Sequence, residues 1–398
     1  MKITSKLINP TRPHIYTNPL TKTLPKKCFV TNNDVVLKNA KLNLTDKNDN
    51  LDVYLKAGPT EKIAYEPCKT NVAIVNAGGL CPGINNVIYD LVYSLENLYE
   101  VKNIYGIRNG YTGVCKYNMM DLNTNSIEGI QHTSGSVLGT SRGVIDPTKV
   151  VDYLETRDIS QLYVIGGDGT HKGAFEFAKH TDVAIACLPK TIDNDLPIID
   201  KSFGFETAVE KAKDFIMSAY SEIISTENCV GIVKLMGRNC GWIALYAALS
   251  SNNVDVCLLP EYPTDENKLF EYVRKLVETK GHCMIVVAEG VRMNDCGDVG
   301  IYLKDHLSEC YHVKYIDPTY LVRAVPANTT DSIYCKLLAQ SAVHACMSGY
   351  SGFTVGHVNN KMSIIPLEEI VNNTNFVSEK DSMWIRLLLS NLQPDLSI

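Results

Sequence analysis

What this 398-residue sequence lacks narrows its function before any motif is read. It has no basic surplus: 38 Lys+Arg stand against 44 Asp+Glu, a formal net charge of −6. A protein that grips nucleic acid needs such a surplus to neutralise phosphates, so no nucleic-acid partner is expected. No apolar run approaches the ~18 residues of a membrane-crossing helix. The densest stretch, Cys283 to Ala288, is strand-sized, and no membrane partner is expected. Thirteen cysteines include no Cys-x-x-Cys pair, which excludes the usual zinc-ligand spacing and a small secreted disulfide framework. Reduced thiols in a cytoplasmic enzyme are the resulting expectation. The nine histidines form no ligand or nucleophile pattern. Neither the P-loop pattern nor the dinucleotide Gly-x-Gly-x-x-Gly pattern is present, and there is no repeat or low-complexity tract.

Residues 1–33 contain no Asp or Glu but carry Lys2, Lys6, Arg12, Lys22, Lys26 and Lys27. Four prolines (Pro10, Pro13, Pro19, Pro25) forbid the long amphipathic helix of a transit signal. The segment reads as an extended arm packed on the body or on a neighbouring subunit. Residues 34–70 read as polar and irregular, with a loop signal at 46–50, so the fold proper is expected to start near Asn71.

From there a unit of strand, glycine turn and amphipathic helix recurs. Val72–Val75 leads into Ala77-Gly78-Gly79, then Ile84, Val87, Ile88, Leu91, Val92 and Leu95 at helical spacing. Leu162–Ile165 leads into Gly166-Gly167-Asp168-Gly169-Thr170 and a helix from Lys172; Ala184–Leu188 leads into Pro189–Asp195 and a helix over Val209–Ile223. Val230–Leu235 leads into Met236-Gly237-Arg238 and a helix from Trp242, and Cys283–Ala288 into Glu289-Gly290. Strands alternating with helices predict an α/β fold of mainly parallel sheets flanked by helices. Ligands of such sheets bind beyond the carboxyl ends of the strands, where these glycines and charges fall. Residues 361–398 read as a C-terminal appendage with a helix around Ser382–Leu392.

Glycine turns at a helix start present backbone N–H groups to an anion, and the missing side chains let phosphate touch the backbone. Asp168 in such a turn would repel a phosphate, and a bridging Mg²⁺ removes the conflict. A tight turn capped by Asp is the equal alternative. Lys190-Thr191-Ile192-Asp193-Asn194-Asp195 places a cation, a hydroxyl and two carboxylates together, with Asp193 and Asp195 on one face of an extended turn. One can take a proton from an attacking hydroxyl while the other holds metal or orients its partner, and Lys190 offsets phosphate charge. Arg142 and Arg238 are single cations beside glycines, suited to phosphate or to a solvated surface. Glu289 can accept sugar hydroxyls or cap a loop.

Four segments occur in order: Gly78-Gly79-Leu-Cys-Pro-Gly-Ile-Asn85, Gly166–Thr170, Pro189–Asp195 and Met236-Gly-Arg-Asn-Cys-Gly241. Together they resemble the 6-phosphofructokinase family over about 71–360. The resemblance implies two Rossmann-like lobes with the active site in the cleft between them, and transfer of a donor's terminal phosphoryl to the 1-hydroxyl of fructose 6-phosphate. It casts Asp193 as the base, with Thr191 and Lys190 beside it, and Asp168 as the Mg²⁺ ligand. Gly79, Tyr111, Arg142, Gly143, Gly167, Asp168, Gly169 and Thr170 then bind the donor. Thr191, Asp193, Asp195, Met236, Gly237, Arg238 and Glu289 bind the sugar phosphate, and Lys314, Tyr320 and Arg323 bind its 6-phosphate.

The implied layout is an arm over 1–70, a lobe for ATP and Mg²⁺ over 71–206 plus 322–360, a sugar-phosphate lobe over 207–321 and an extension over 361–398. A homotetramer or homodimer is expected. Lys190 resembles pyrophosphate users, whereas Gly169 replaces the second Asp that those enzymes carry. An Asp there would crowd and repel a nucleoside triphosphate, so the combination resembles ATP-dependent enzymes of the pyrophosphate-related branch, similar to trypanosomal phosphofructokinases. The rivals are a pyrophosphate-dependent enzyme and a catalytically silent regulatory subunit that binds sugar phosphate. Lipid and NAD kinases share only the Gly-Gly-Asp-Gly-Thr element. Asn228-Cys229 stands where bacterial ATP-type enzymes place an arginine that reaches a neighbouring subunit, so allosteric wiring through that residue is not expected.

Overall fold

The structure is a computed structural model that describes all residues except 1, 4–7, 41–49, 117, 144–145, 294–295 and 398. But for Asn50, the loop expected at 46–50 lies outside the described residues. The chain divides into two compact units. The first comprises Met1–Thr191, Leu196–Gly204 and Val325–Thr374; the second comprises Ile192–Asp195, Phe205–Ala324 and Asn375–Ile398.

The first unit is built on a nine-stranded sheet. Its centre is parallel, in the order Asn103–Ile107, Asn71–Asn76, Gln161–Gly166, Ala184–Pro189 and Phe353–Val358. Val72, Ile74, Val75, Val164 and Ile185 are fully buried. Strands covered by helices on both faces lose the alternation of one-sided sheets and become continuous apolar runs. The edges are antiparallel: Met119–Asp121 on one side, and Lys361–Pro366, Val53–Lys56 and Val35–Leu37 on the other.

That second edge corrects two readings. Within 34–70, Val35–Leu37 and Val53–Lys56 are strands of the sheet, and 361–366 is a sheet strand rather than an appendage. Val35–Leu37 is only three residues long at the sheet edge, with Val35 and Leu37 facing solvent, so it carries little of the apolar pattern that marks a strand. The arm packs on its own unit, where Thr11 N–H donates to Gly349 O at 2.7 Å and a ring nitrogen of His14 lies 2.7 Å from Ser348 O.

The second unit has a parallel four-stranded sheet in the order Val256–Leu258, His282–Ala288, Cys229–Leu235 and His312–Ile316. Phe205–Ile224, Trp242–Ser251 and Glu266–Lys280 are among its helices, and the last closes on Gly281 at φ 80°. The predicted C-terminal helix spans Ser382–Ser390 and belongs to this unit. Among the described residues no helix is long and apolar enough to cross a membrane.

Candidate active site

In the first unit, three adjacent parallel strands end together and deliver three turns. The 71–76 strand leads to Gly78-Gly79, the 161–166 strand to Gly167–Thr170, and the 184–189 strand to Lys190. Gly167 is the N-cap of the helix Asp168–Ala178, which begins at Asp168 rather than at Lys172. The phosphate-type turn is therefore the first turn of the helix, where the dipole favours an anion. Gly78 sits at φ 97°, and a Cβ there would lie 3.4 Å from Lys190 Nζ and 3.8 Å from Thr170 Oγ1. Lys190 is buried and its ammonium donates to Gly79 O, so Gly78, Gly79, Thr170 and Lys190 converge.

Asp168 pairs through Oδ2 with Lys172 Nζ at 2.8 Å. Its Oδ1 is buried and accepts no hydrogen bond among the described residues. A sealed carboxylate oxygen without a partner is costly, and a cation relieves it. No cluster of three or more His, Cys, Asp or Glu that would suit a metal occurs among the described residues. That donor set fits Mg²⁺ held by one carboxylate together with the phosphates of a substrate, rather than in a protein cage.

Around a Cβ built on Gly169 there is nothing within 4 Å, so the space beside the turn is open. Arg142 and Gly143 are exposed, on a stretch tied to the glycine turn because Gly78 N–H donates to Ser141 O at 2.9 Å. Tyr111 departs from its expected place as a donor contact. It is buried, its ring is edge-on to Phe177, and its hydroxyl donates to Thr170 O at 3.1 Å, supporting the turn from behind. Sequence reasoning missed His171. Its Nδ1 lies 3.0 Å from Gly167 O and its Nε2 lies 3.1 Å from Thr354 Oγ1. Burial lowers its pKa to about 4, so a neutral ring holds the N-cap carbonyl.

The motif at 189–195 is divided between the units: Lys190 and Thr191 belong to the first, Asp193, Asn194 and Asp195 to the second. Asn194 adopts φ 54°, so the two aspartates flank a left-handed bend rather than sharing an extended turn. Asn tolerates this conformation better than most side chains. Asp193 is partly exposed as a residue, but its Oδ1 is sealed from solvent. Burial, then the charges of Asp195 and Glu289, push its pKa up to about 7, and Arg323 opposes them. Asp193, Asp195, Glu289 and Arg323 therefore share one electrostatic environment.

Met236-Gly237-Arg238 follows the 229–235 strand and lies against Glu289-Gly290, which follows the neighbouring 282–288 strand. Gly290 N–H donates to Gly237 O at 3.0 Å. A Cβ on Gly290 would fall 2.0 Å from Arg238 O, so this approach requires glycine. Arg238 is exposed, and Arg323 sits over the exposed ring of Tyr320 at 5.0 Å. Lys314 stands apart from this group: it pairs with Glu222 at 3.4 Å, near Cys229. Two further supports hold this region, one from Glu261 outside the motifs and one from Cys240 within the 236–241 motif. Glu261 accepts the N–H of Gly241 at 3.0 Å, and Cys240 S–H donates to Asp193 O at 3.1 Å.

Parallel sheets flanked by helices, with glycine turns and carboxylates beyond their strand ends, define an α/β protein. The family model described as Phosphofructokinase matches residues 71–346, and the chain belongs to that family. It is 43% identical over 418 residues to "ATP-dependent 6-phosphofructokinase 4, chloroplastic" of Arabidopsis thaliana, covering 95% of this chain and 78% of that protein. It is 39% identical over 390 residues to an ATP-dependent 6-phosphofructokinase of Borreliella burgdorferi, covering 88% and 87%. Among solved structures, a pyrophosphate-dependent phosphofructokinase from Marinobacter aquaeolei matches with a TM-score of 0.73 at 22% identity, over 82% of this chain and 92% of that one. This last likeness concerns the fold alone.

Proposed function

We propose that this chain is an enzyme that transfers the γ-phosphoryl group of ATP to the 1-hydroxyl of fructose 6-phosphate, giving fructose 1,6-bisphosphate and ADP, a step of glycolysis. Relatives named for ATP-dependent 6-phosphofructokinase activity, near 40% identity over most of the chain, support the activity. The observation that carries the mechanism is the environment of Asp193, whose carboxyl is poised to exchange a proton near pH 7.

In this reading Asp193 takes the proton of the sugar 1-hydroxyl as its oxygen bonds to the γ-phosphorus and the bond to the ADP oxygen breaks. Thr191 and Lys190 steady the moving phosphoryl group, Lys190 by its charge. Gly79, Arg142, Gly143 and the turn Gly167–Thr170 hold the ATP phosphates through backbone N–H groups and one guanidinium, with Tyr111 acting through Thr170. Asp168, through its sealed Oδ1, would hold the Mg²⁺ that accompanies the donor phosphates, and that ion would supply positive charge against the charge of the transferring group. Asp195, Met236, Gly237, Arg238 and Glu289 orient the sugar. Tyr320 and Arg323 grip its 6-phosphate, with Lys314 as an outer contact.

A second reading, pyrophosphate as donor, is favoured by Lys190 and opposed by Gly169. The open space beside Gly169 supports the larger donor. Coupled fructose 1,6-bisphosphate production from fructose 6-phosphate and Mg²⁺, run with ATP and with pyrophosphate in parallel, decides it. Activity with ATP alone is expected. Activity with pyrophosphate alone overturns the donor, and none with either favours the regulatory-subunit reading. A cytoplasmic homotetramer or homodimer completes the proposal.

A further inference from the structure

We propose that Asn375, in the C-terminal segment beyond the family match, is a positioning residue that holds the Asp193–Asp195 loop in its working conformation. This rests on Asp193 being the base. The three consecutive carbonyls of that loop each accept a hydrogen bond from outside it. Cys240 S–H donates to Asp193 O at 3.1 Å, Asn375 Nδ2 donates to Asn194 O at 3.0 Å, and Asn375 N–H donates to Asp195 O at 2.9 Å. Two of the three come from one residue, about 180 positions away in the chain and outside the matched 71–346.

Asn375 is itself anchored. Trp242 Nε1–H, at the first position of the 242–251 helix, donates to Asn375 O at 3.2 Å. Two residues on, Val377 is buried and its N–H donates to Glu261 Oε1 at 3.0 Å, the carboxylate that also accepts Gly241 N–H. The segment is therefore fastened to the elements that follow Met236–Arg238. All these residues lie in the second unit.

The loop needs such handles because Asn194 sits at φ 54°, a conformation that persists when the surroundings over-determine it. Gripping the carbonyls on both sides of Asn194 fixes the direction in which Asp193 projects. A displacement of about 1 Å in a reacting group costs up to ~10²-fold in rate.

Asn375→Ala removes the side-chain donor and keeps the backbone N–H, while Trp242→Phe releases the anchor without touching the loop. Each is expected to lower kcat ~10-fold or more and to leave both KM values within about 3-fold, because the loop acts on the reacting geometry rather than on ground-state binding. In an Asp193→Ser background Asn375→Ala is expected to have no further effect on kcat, since both act through the same group. Trp242→Phe carries the same prediction should Asn375→Ala fail to fold, as judged by thermal unfolding.

A loss of melting temperature with wild-type kcat in the folded variant overturns the proposal. So does an equal fall in kcat with and without Asp193. A wild-type kcat for Asp193→Ser alone overturns the reading of Asp193 as the base, and with it the catalytic meaning of the clamp.

Discussion

The two units present their candidate residues in different ways. In the first, backbone does the holding: Gly78, Gly79 and Gly167 open the chain to close approach, and the turns sit where three neighbouring strands end. In the second, side chains do it. Asp193 draws its character from Asp195, Glu289 and Arg323, and its loop is held by Cys240 and Asn375. A phosphate-type turn is spelled within five consecutive residues, because missing Cβ atoms and helix-start N–H groups are local properties. A poised base is not, because its proton affinity depends on which charges and how little water surround it.

Three substitutions test that contrast. The largest effect is expected at the side-chain-built centre, where Asp193→Ser should lower kcat at least ~10²-fold, the lower range for a lost general base. In the parent enzyme kcat/KM should fall as pH drops through about 7, because the base works only when ionised. The same shift has the opposite consequence for stability. The folded carboxyl holds its proton more tightly than an ordinary one, so the stability it contributes is present at low pH and lost as pH rises through about 7. A pH–rate profile whose acid limb lies near pH 4 would remove the buried-base account.

At the backbone-built centre, Gly169→Asp places a carboxylate in open space beside the donor turn. ATP KM should rise ~10-fold or more, the equivalent of about 1.4 kcal/mol, with the fructose 6-phosphate KM unchanged. Equal ATP affinity in parent and variant would sink the size-and-charge argument for the donor. The smallest effect is expected at Tyr111→Phe, which loses one hydrogen bond to Thr170 O. Denaturant unfolding should show a loss of ~1 kcal/mol, with kcat within about a factor of two. A large rise in ATP KM instead would show that the hydroxyl meets the donor directly.

Much of this was readable in the residues. The runs at 72–75, 162–165, 184–188, 230–235 and 283–288 all lie within observed strands, and the turns after them carry most of the candidate site residues. Long apolar runs and glycine turns are strong local signals because parallel strands bury both faces. The helix Thr329–Met347 left no comparable trace: it is buried all round from Ser341, with Cys, Ala, Ser and His among its buried residues, so no amphipathic stripe marks that half. The strand at 35–37, three residues at the sheet edge with Val35 and Leu37 exposed, left little trace for the opposite reason, and the antiparallel strands at 53–56 and 361–366 lack the glycine turn and helix that follow the central runs.

By itself the sequence carried the class of chemistry through a family resemblance, because the four short motifs are local and keep their order along the chain whatever the packing around them. Only the tertiary structure decided which groups act on Asp193, that Tyr111 faces the core, that Lys314 pairs with Glu222, and that Asn375 reaches the loop. Those outcomes depend on residues far apart in the chain that meet only when the sheets and helices pack, and distance along the chain carries no record of such meetings.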